Sequence, residues 1–305
     1  MTAPGVINFI DGQHLGRSQV IGVGLVGAGE LALIDSGPDV CFAAIVAEIR
    51  RLGFRPEDVR HVLVTHIHLD HSGGAWRWVR DFGATVCVHP RGAAHLADPT
   101  KLVTSATKIF GADMPRLWGE VQPVPAEKIR VVQDGEEIVA GSTTFRVVES
   151  LGHASHHHAY WLERDRTLFA GDVCGVGIGE GPLLPPCPPP DINVEQWLVS
   201  LEKIQALRPA LVWLTHFGGV REPAERLREL AHRLSDWSGW MRDQLRAGRS
   251  ESEIVPLFAA RVMAELRRAG VTEDGLRAYE QADPTETNVW GLARYWKRFH
   301  PENLE

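Results

Sequence analysis

The sequence predicts an α/β protein in which two β-sheets pack together with helices outside them, followed by a helical C-terminal segment. Runs of β-branched and alternating apolar residues recur along the first two thirds of the chain, separated by amphipathic stretches. From residue 121 the pattern repeats the plan of the first half, as expected for two similar layers. Residues 221–305 are charged, helical in period and poor in strand patterns, so we expect domains at 1–220 and 221–305.

The elements of the first half follow from local patterns. Residues 6–36 alternate apolar runs with Gly and Asp turns, which predicts a meander of strands. A helix is expected between Pro38 and Gly53, because proline favours helix starts and glycine helix ends. We then expect a strand ending at His66, a short helix, a second strand, and a mostly helical stretch over 90–118.

The second half repeats this alternation. Residues 129–150 predict two or three strands, and the turn "ERDR" separates two more. "VEQWLVSLEKIQAL" predicts an amphipathic helix, and "ALVWLTH" a final buried strand ending at His216. The proline-rich run at 181–192 excludes regular structure and predicts a stiff loop. Beyond it we expect three or more helices, broken near Gly248, Gly270 and Pro284.

Composition narrows the classes of function. The chain has 305 residues, 44% hydrophobic and 23% charged, which is ordinary for a globular protein. A net charge of −7 argues against a nucleic-acid partner. The four cysteines lack CxxC spacing, so we expect a reducing compartment. With no leader pattern at the N-terminus, and an apolar run at 20–34 that glycines interrupt, we expect a cytoplasmic protein that does not use a membrane.

Metal-type ligands follow four of the predicted strands. Strand ends suit a metal site because the sheet fixes their separation and direction. Imidazole suits zinc, iron or manganese, and a carboxylate can bridge two cations. Seven ligands exceed one tetrahedral site and divide into two groups of three with one shared aspartate. The candidates are His66, His68, Asp70, His71, His153, Asp172 and His216.

The segment "THIHLDH" at 65–71 resembles the HxHxDH signature of the metallo-β-lactamase-fold hydrolases. "LALIDSG", "GHASHH", "LFAGD" and "LTHFG" resemble that family's other motifs in the same order, over roughly residues 6–220. The resemblance implies the four-layer αβ/βα sandwich. It also implies two divalent ions, zinc first, with iron or manganese in some relatives. By this resemblance His66, His68 and His153 hold one ion, Asp70, His71 and His216 hold the other, and Asp172 bridges.

The chemistry that this resemblance implies is hydrolysis. Paired ions lower the pKa of a shared water from 15.7 to about 7, which makes a hydroxide available at neutral pH. Asp70 is the expected carrier of the moving proton, because it both ligates and lies beside the bridge. We expect ester, thioester, lactone or phosphoester cleavage of a small molecule. The C-terminal helices are expected to cap or flank the pocket.

Two other functions are compatible with these motifs. Sulfur dioxygenases of similar fold use one iron, so a mononuclear iron oxygenase is the first alternative. A metal-binding protein without catalysis is the second. Asp172 stands where class B β-lactamases commonly have cysteine, which argues against that activity. The tryptophans of the C-terminal segment serve either a homodimer contact or the segment's own core.

Several residues near the motifs are compatible with two roles, one beside the metal site and one in the fold. Asp35 and His157 either orient a ligand or fill a turn, and His156 replaces the glycine common in "GHxxGH". Structural roles are favoured for a further set: His61, His89, His158, Cys174, Cys187, Trp76 and Trp78. Phe110, Met114 and Trp118 are expected in the core, with a pocket wall as the alternative.

Overall fold

Two six-stranded sheets form the centre of the protein in the computed structural model, which describes residues 6–304. The first sheet pairs antiparallel across its first three strands and parallel across the remaining ones. In spatial order its strands are β1 (Val6–Asp11), β2 (Gly22–Ala28), β3 (Glu30–Ile34), β4 (Val59–Leu63), β5 (Thr85–Val88) and β6 (Ile129–Val131).

Helices of the first half follow β3, β4 and β5. Trp76 and Trp78 lie in the helix Ala75–Phe82 and are buried in the core against the first sheet, as the sequence predicted. The helices are α1 (Phe42–Arg51), α2 (Leu69–Ser72), α3 (Ala75–Phe82), α4 (Pro90–Ala97), α5 (Thr100–Phe110) and α6 (Met114–Trp118).

The second sheet is antiparallel except for one parallel pair, β10 with β11. It contains β7 (Glu137–Ala140), β8 (Thr143–Glu149), β9 (His158–Leu162), β10 (Thr167–Phe169), β11 (Leu211–Leu214) and β12 (Gly218–Arg221). The strand ending at His216 was predicted to be the last one, and this prediction was wrong. β12 is a short edge strand that begins with two glycines, a composition depleted in strands.

An apolar layer joins the two sheets. Leu63 of β4 packs in one cluster with Phe145 of β8 and Tyr160 of β9. The Tyr160 hydroxyl donates to the Val64 carbonyl at 2.7 Å, which fixes the second sheet against the end of β4. The predicted fold class, two packed sheets with helices outside and a helical C-terminal region, is confirmed.

The C-terminal region forms four helices that share a core with α7 (Val194–Ala206). Trp197 of α7 and Trp237 of the region's first helix are fully buried in one cluster. The helices are α8 (Ala224–Arg246), α9 (Glu251–Arg268), α10 (Glu273–Ala282) and α11 (Thr285–Phe299). The division at residue 220 stays a prediction, and residues 1–5 and 305 of the two predicted domains lie outside the described part.

Across the described residues, every helix is too short or too polar to cross a membrane.

Candidate metal centre

All seven predicted ligands meet at one edge of the two sheets. His66 follows β4, His68 precedes α2, and Asp70 and His71 lie within it. The remaining ligands lie in the loops after β8, β10 and β11. Because β3 runs parallel to β4, and β10 to β11, the carboxyl ends of these strands reach the same edge. The ordered strands therefore bring together residues that lie 150 positions apart in sequence, His66 and His216.

The first group consists of three imidazole nitrogens. His66 Nε2 lies 2.9 Å from His68 Nδ1, and His153 Nε2 lies 3.2 Å and 3.1 Å from those two atoms. Three nitrogens bound to one tetrahedral zinc at 2.0–2.1 Å are separated by about 3.3 Å. The triangle therefore has the dimensions of a metal site.

The second group combines two histidines with a carboxylate. His216 Nε2 lies 3.2 Å from Asp70 Oδ2, and His71 Nε2 lies 3.6 Å from the same oxygen. All three side chains offer ligand atoms within 4.8 Å of one another. The two histidines are buried, whereas the Asp70 side chain keeps 19% of its surface exposed.

Asp172 lies between the two groups. Its Oδ2 is 3.4 Å from His153 Nε2, and its Oδ1 is 3.3 Å from His71 Nε2 and 3.5 Å from His216 Nε2. Each oxygen thus faces a different group. This is the arrangement of a carboxylate that can bridge two cations.

Within residues 6–304, three buried atoms in and beside the second group have no hydrogen-bond partner: His71 Nε2, His216 Nε2 and Asp172 Oδ1. A buried polar atom without a partner is costly, and one explanation is an ion that belongs there. The donor set of imidazole and carboxylate suits a divalent transition metal. The residues present therefore fit a metal at this position.

Burial and neighbouring charge set the protonation of these groups. Burial lowers the pKa of His66 well below its usual value, and lowers that of His68 to about 4. Burial also opposes protonation of His71, but Asp172, Asp70 and Asp35 outweigh it and raise its pKa. The first group is thus neutral and ready to ligate, whereas the second holds protons when no metal is bound.

Asp35 organises the second group from behind. Its Oδ2 accepts hydrogen bonds from His71 Nδ1 at 2.8 Å and from the Thr215 hydroxyl at 2.9 Å. Its Oδ1 accepts from the Thr65 amide at 2.8 Å and the Thr65 hydroxyl at 2.9 Å. The two threonines immediately precede His66 and His216. Sequence reasoning missed them, although the same Thr-His pair follows two strands, β4 and β11.

Main-chain carbonyls orient two further predicted ligands, His153 and His216. His153 Nδ1 donates to the Pro186 carbonyl at 2.8 Å, and His216 Nδ1 donates to the Val20 carbonyl at 2.6 Å. A carbonyl can only accept, so it fixes the protonated ring nitrogen. The opposite nitrogen of each ring therefore faces the centre, where it can ligate an ion once it carries no proton.

His157 supports the loop that carries Asp172. Its Nε2 accepts from the Asp172 amide at 3.3 Å, and its Nδ1 lies 2.9 Å from the Ser150 hydroxyl. Gly171 passes between Thr65 and His157 with φ +53°, and an added Cβ would lie 2.7 Å from the Thr65 hydroxyl and 2.8 Å from His157 Nε2. Only glycine fits there. The ring of His156 lies 6.2 Å from that of His66.

The residues with predicted structural roles lie outside the two ligand groups. His89 caps α4 by accepting from the Arg91 amide and contacts Glu149, while His158 begins β9 as a buried ring. His61 bonds Glu30. These contacts fit the structural roles predicted for the three histidines. Cys174 and Cys187 are buried in the core, with free thiols.

A cavity of about 470 Å³ opens onto His68, Asp70 and Asp172. One wall is apolar and comes from α5 and α6. Phe110 and Trp118 pack against a small core around Met114 and also line this wall. The predicted core position and the alternative, a pocket wall, therefore both apply to these two residues. The proline loop, residues 281–284 and Thr287 also line the cavity, so the C-terminal helices flank it.

The cavity also contains residues that sequence reasoning did not identify. His14 is buried, with Nε2 donating to the Leu117 carbonyl at 2.9 Å. Asp191 accepts from the Ser155 hydroxyl at 2.6 Å, and Asp283 accepts from the Asn288 amide at 2.9 Å. Each lies in a loop or at a helix end without a recognisable motif.

The fold and this edge site define a two-sheet α/β protein of the metal-binding type. The sequence profile of the metallo-beta-lactamase superfamily matches residues 21–216. The chain belongs to this superfamily, and the predicted resemblance is confirmed.

Individual relatives are more distant. The metallo-beta-lactamase fold-containing protein ST1585 of Sulfurisphaera tokodaii is 29% identical over 179 residues, 57% of this chain and 66% of that protein. A hydroxyacylglutathione hydrolase of Methylococcus capsulatus is 32% identical over 184 residues, 59% of this chain and 54% of that protein. The matched regions thus span about half to two thirds of these relatives.

The crystal structure of ST1585 covers 94% of this chain and 97% of its own, with a TM-score of 0.69 and 21% identity. This likeness establishes a shared fold that extends over the C-terminal helices.

Proposed function

We propose that the protein is a dinuclear metal hydrolase that cleaves the ester-type bond of a small molecule, thioesters first among them. The position of Asp172 carries the proposal, because its two oxygens face two separate groups of ligand atoms. A hydroxyacylglutathione hydrolase among the relatives supports a thioester, since its named substrate carries an acyl group on a thiol.

In this proposal His66, His68 and His153 hold one divalent ion, and Asp70, His71 and His216 hold the second. When bound, the pair supplies a water acidified to a pKa of about 7 and an electrophile for the carbonyl oxygen. Zinc suits these nitrogen and oxygen ligands, and iron or manganese also accept them.

Asp70 is placed to move the proton. It is the ligand carboxylate with the larger exposed fraction, 19% of the side chain against 5% for Asp172. Burial opposes its ionisation, but His71 and His216 outweigh this and hold its pKa below the usual range. It is therefore ionised at neutral pH, so it can accept a proton from the attacking water and then pass that proton to the leaving group.

The walls of the cavity exclude water from the region where the acyl group of the substrate would bind. Leu102, Phe110 and Trp118 present an apolar wall to the acyl group. The proline loop fixes the other wall, because each proline restricts its own backbone rotation.

Elemental analysis of the purified protein and a hydrolysis panel test the proposal together. We expect two divalent ions per chain and turnover of thioesters, lactones, p-nitrophenyl esters or phosphates that chelation abolishes and metal restores. Asp172→Asn should lose one ion and roughly 100-fold or more in kcat/KM, exceeding the 10–100-fold typical of outer partners of a metal site. Asp81→Asn, an exposed acid on α3, is the matched control.

Two other results would replace this proposal. One iron per chain with oxygen-dependent turnover would indicate a mononuclear oxygenase. Full metal loading without turnover of any substrate class would indicate a metal-binding protein that is not an enzyme.

A further inference from the structure

A groove lined by cationic side chains adjoins the active-site cavity. Its charged and aromatic lining consists of Lys108, Arg294, Lys297, Arg298, Glu251 and Trp290. Four cations against one acid stand out in a chain whose net charge is −7. Such a local excess attracts an anionic group even when the whole protein is acidic.

The groove is continuous with the cavity, because Ile109 and Pro189 line both. On α11, Thr287 lines the cavity, and Trp290, Arg294 and Arg298 follow it at spacings that keep them near one helical face. A rise of 1.5 Å per residue places Arg298 about 16 Å farther along the helix axis than Thr287. A ligand in the groove would therefore extend outward from the cavity.

Most of these cations are available to a ligand. Lys297 pairs with Glu251 at 2.6 Å. Within residues 6–304, Lys108, Arg294 and Arg298 have no carboxylate oxygen within 4.0 Å. The Arg294 Nε donates to the Pro190 carbonyl at 3.3 Å, which anchors the side chain. The two terminal amino groups of Arg294 have no hydrogen-bond partner among residues 6–304.

Close packing couples this groove to the metal centre. A Cβ on Gly291 would lie 1.8 Å from the Cys187 carbonyl oxygen, so α11 touches the proline loop directly. The Cys187 amide donates to the Asn288 side chain at 2.5 Å. One residue away, the Pro186 carbonyl accepts from His153. The cationic face of α11 therefore has a fixed position relative to a predicted ligand.

We propose that this groove binds the phosphate-bearing end of the substrate, and that the substrate is an acyl thioester of a nucleotide-carrying thiol of the coenzyme A type. This rests on the proposed hydrolase function. Lys108, Arg294 and Arg298 contact the phosphates, which cationic side chains recognise through charge-assisted hydrogen bonds. Trp290 offers an aromatic face on which a purine stacks.

The acyl group then lies in the cavity, and the flexible arm of the thiol passes Ile109 and Pro189. In the reaction the oxygen of water bonds to the thioester carbonyl carbon and the carbon–sulfur bond breaks. One proton goes to the sulfur, and the carboxylic acid formed ionises. The products are a carboxylate and a free thiol, with no oxidant or reductant required.

Hydrolysis of three thioesters that share one acyl group but differ in the thiol distinguishes the role of the cationic groove from that of the metal centre. N-acetylcysteamine lacks phosphates, glutathione carries carboxylates, and coenzyme A carries phosphates and a purine. We expect the highest kcat/KM for the coenzyme A ester, and a preference over the N-acetylcysteamine ester that falls about fivefold or more in an Arg294→Gln, Arg298→Gln double variant. Arg50→Gln, an exposed arginine on α1 outside both cavities, is the matched control.

Calorimetry with free coenzyme A gives a readout that is independent of turnover. We expect binding to the wild type that weakens with added salt and weakens at least about threefold in the double variant. Equal kcat/KM for the three esters, or a preference unchanged in the double variant, would overturn this inference while leaving the hydrolase function intact. Failure of the metal-loaded protein to hydrolyse any of them while coenzyme A still binds would instead overturn the hydrolase function.

Discussion

Replacing Asp35 by asparagine tests how the second ligand group is organised. The Asp35 carboxylate accepts from four donors on three residues, Thr65, His71 and Thr215. Asparagine has nearly the same shape, and it tolerates the positive φ of 58° at this position better than most residues. The substitution therefore changes hydrogen bonding and charge with little change in backbone strain.

The expected magnitude follows from the bonds that change. If the amide oxygen keeps the Thr65 donors, the new NH₂ group faces His71 Nδ1 and the Thr215 hydroxyl. The hydroxyl can rotate to accept, but the imidazole must either leave a donor unpaired or move its proton to Nε2, which blocks the ligand atom. A buried unpaired donor costs about 1–3 kcal/mol of unfolding free energy. Loss of such a partner weakens metal binding about 10–100-fold, or about 1.4–2.8 kcal/mol.

Competition with a chromophoric chelator measures the affinity for each ion, and urea unfolding of the metal-free protein measures stability. We expect Asp35→Asn to weaken one of two ions and to leave the other near its wild-type affinity. Thr215→Val is the control, because it removes one donor to Asp35 at about 1 kcal/mol but keeps the carboxylate that orients His71. If Asp35→Asn binds both ions as tightly as the wild type, Asp35 does not orient a ligand.

Three further predictions concern the metal centre and the packing of α11. His68→Ala should lose an ion and activity while the fold survives, and circular dichroism with metal analysis checks this; full activity would remove the site assignment. Burial opposes protonation of His71 and His216, but the neighbouring carboxylates outweigh it and raise both pKa values. Both rings are therefore mostly protonated at pH 6.5, and metal affinity should rise with pH. Calorimetry in buffers of different ionisation enthalpy should detect proton release at pH 6.5, and no release would contradict this protonation. Gly291→Ala should destabilise the protein by about 3 kcal/mol or more in urea unfolding, since its Cβ overlaps the Cys187 carbonyl; wild-type stability would show that the proline loop yields.

The fold was largely predictable because its elements have strong local patterns. Buried parallel strands such as β5 are rich in β-branched residues, and α7 shows an apolar face of helical period. β12 was missed because four residues beginning with two glycines carry no such pattern, and only pairing with β11 makes them a strand. Neighbouring structure, rather than local propensity, decides such edge strands.

The ligand cluster was predictable for a related reason. Four of the seven residues lie within six positions of one another, and each of the others follows an apolar run. The structure brings the ligand atoms of each group within 4.8 Å of one another, and their role as ligands stays a prediction. Asp35 was ambiguous in sequence, because a turn aspartate and one that orients a histidine have the same local context, and contacts 30 to 180 positions away distinguish them.

The walls of the cavity could not be derived from the sequence, because their residues acquire a role only through packing between distant segments. His14 shows this best. Its Nε2 must donate to the Leu117 carbonyl of α6, so its Nδ1 accepts from the Gln281 amide of α10 at 3.2 Å. Arg17 in turn donates to Gln281 at 3.0 Å. One neutral histidine thus joins the N-terminal strands, the apolar wall and the C-terminal helices beside the predicted metal site. The shape of the cavity therefore depends on the C-terminal helices as well as on the two sheets.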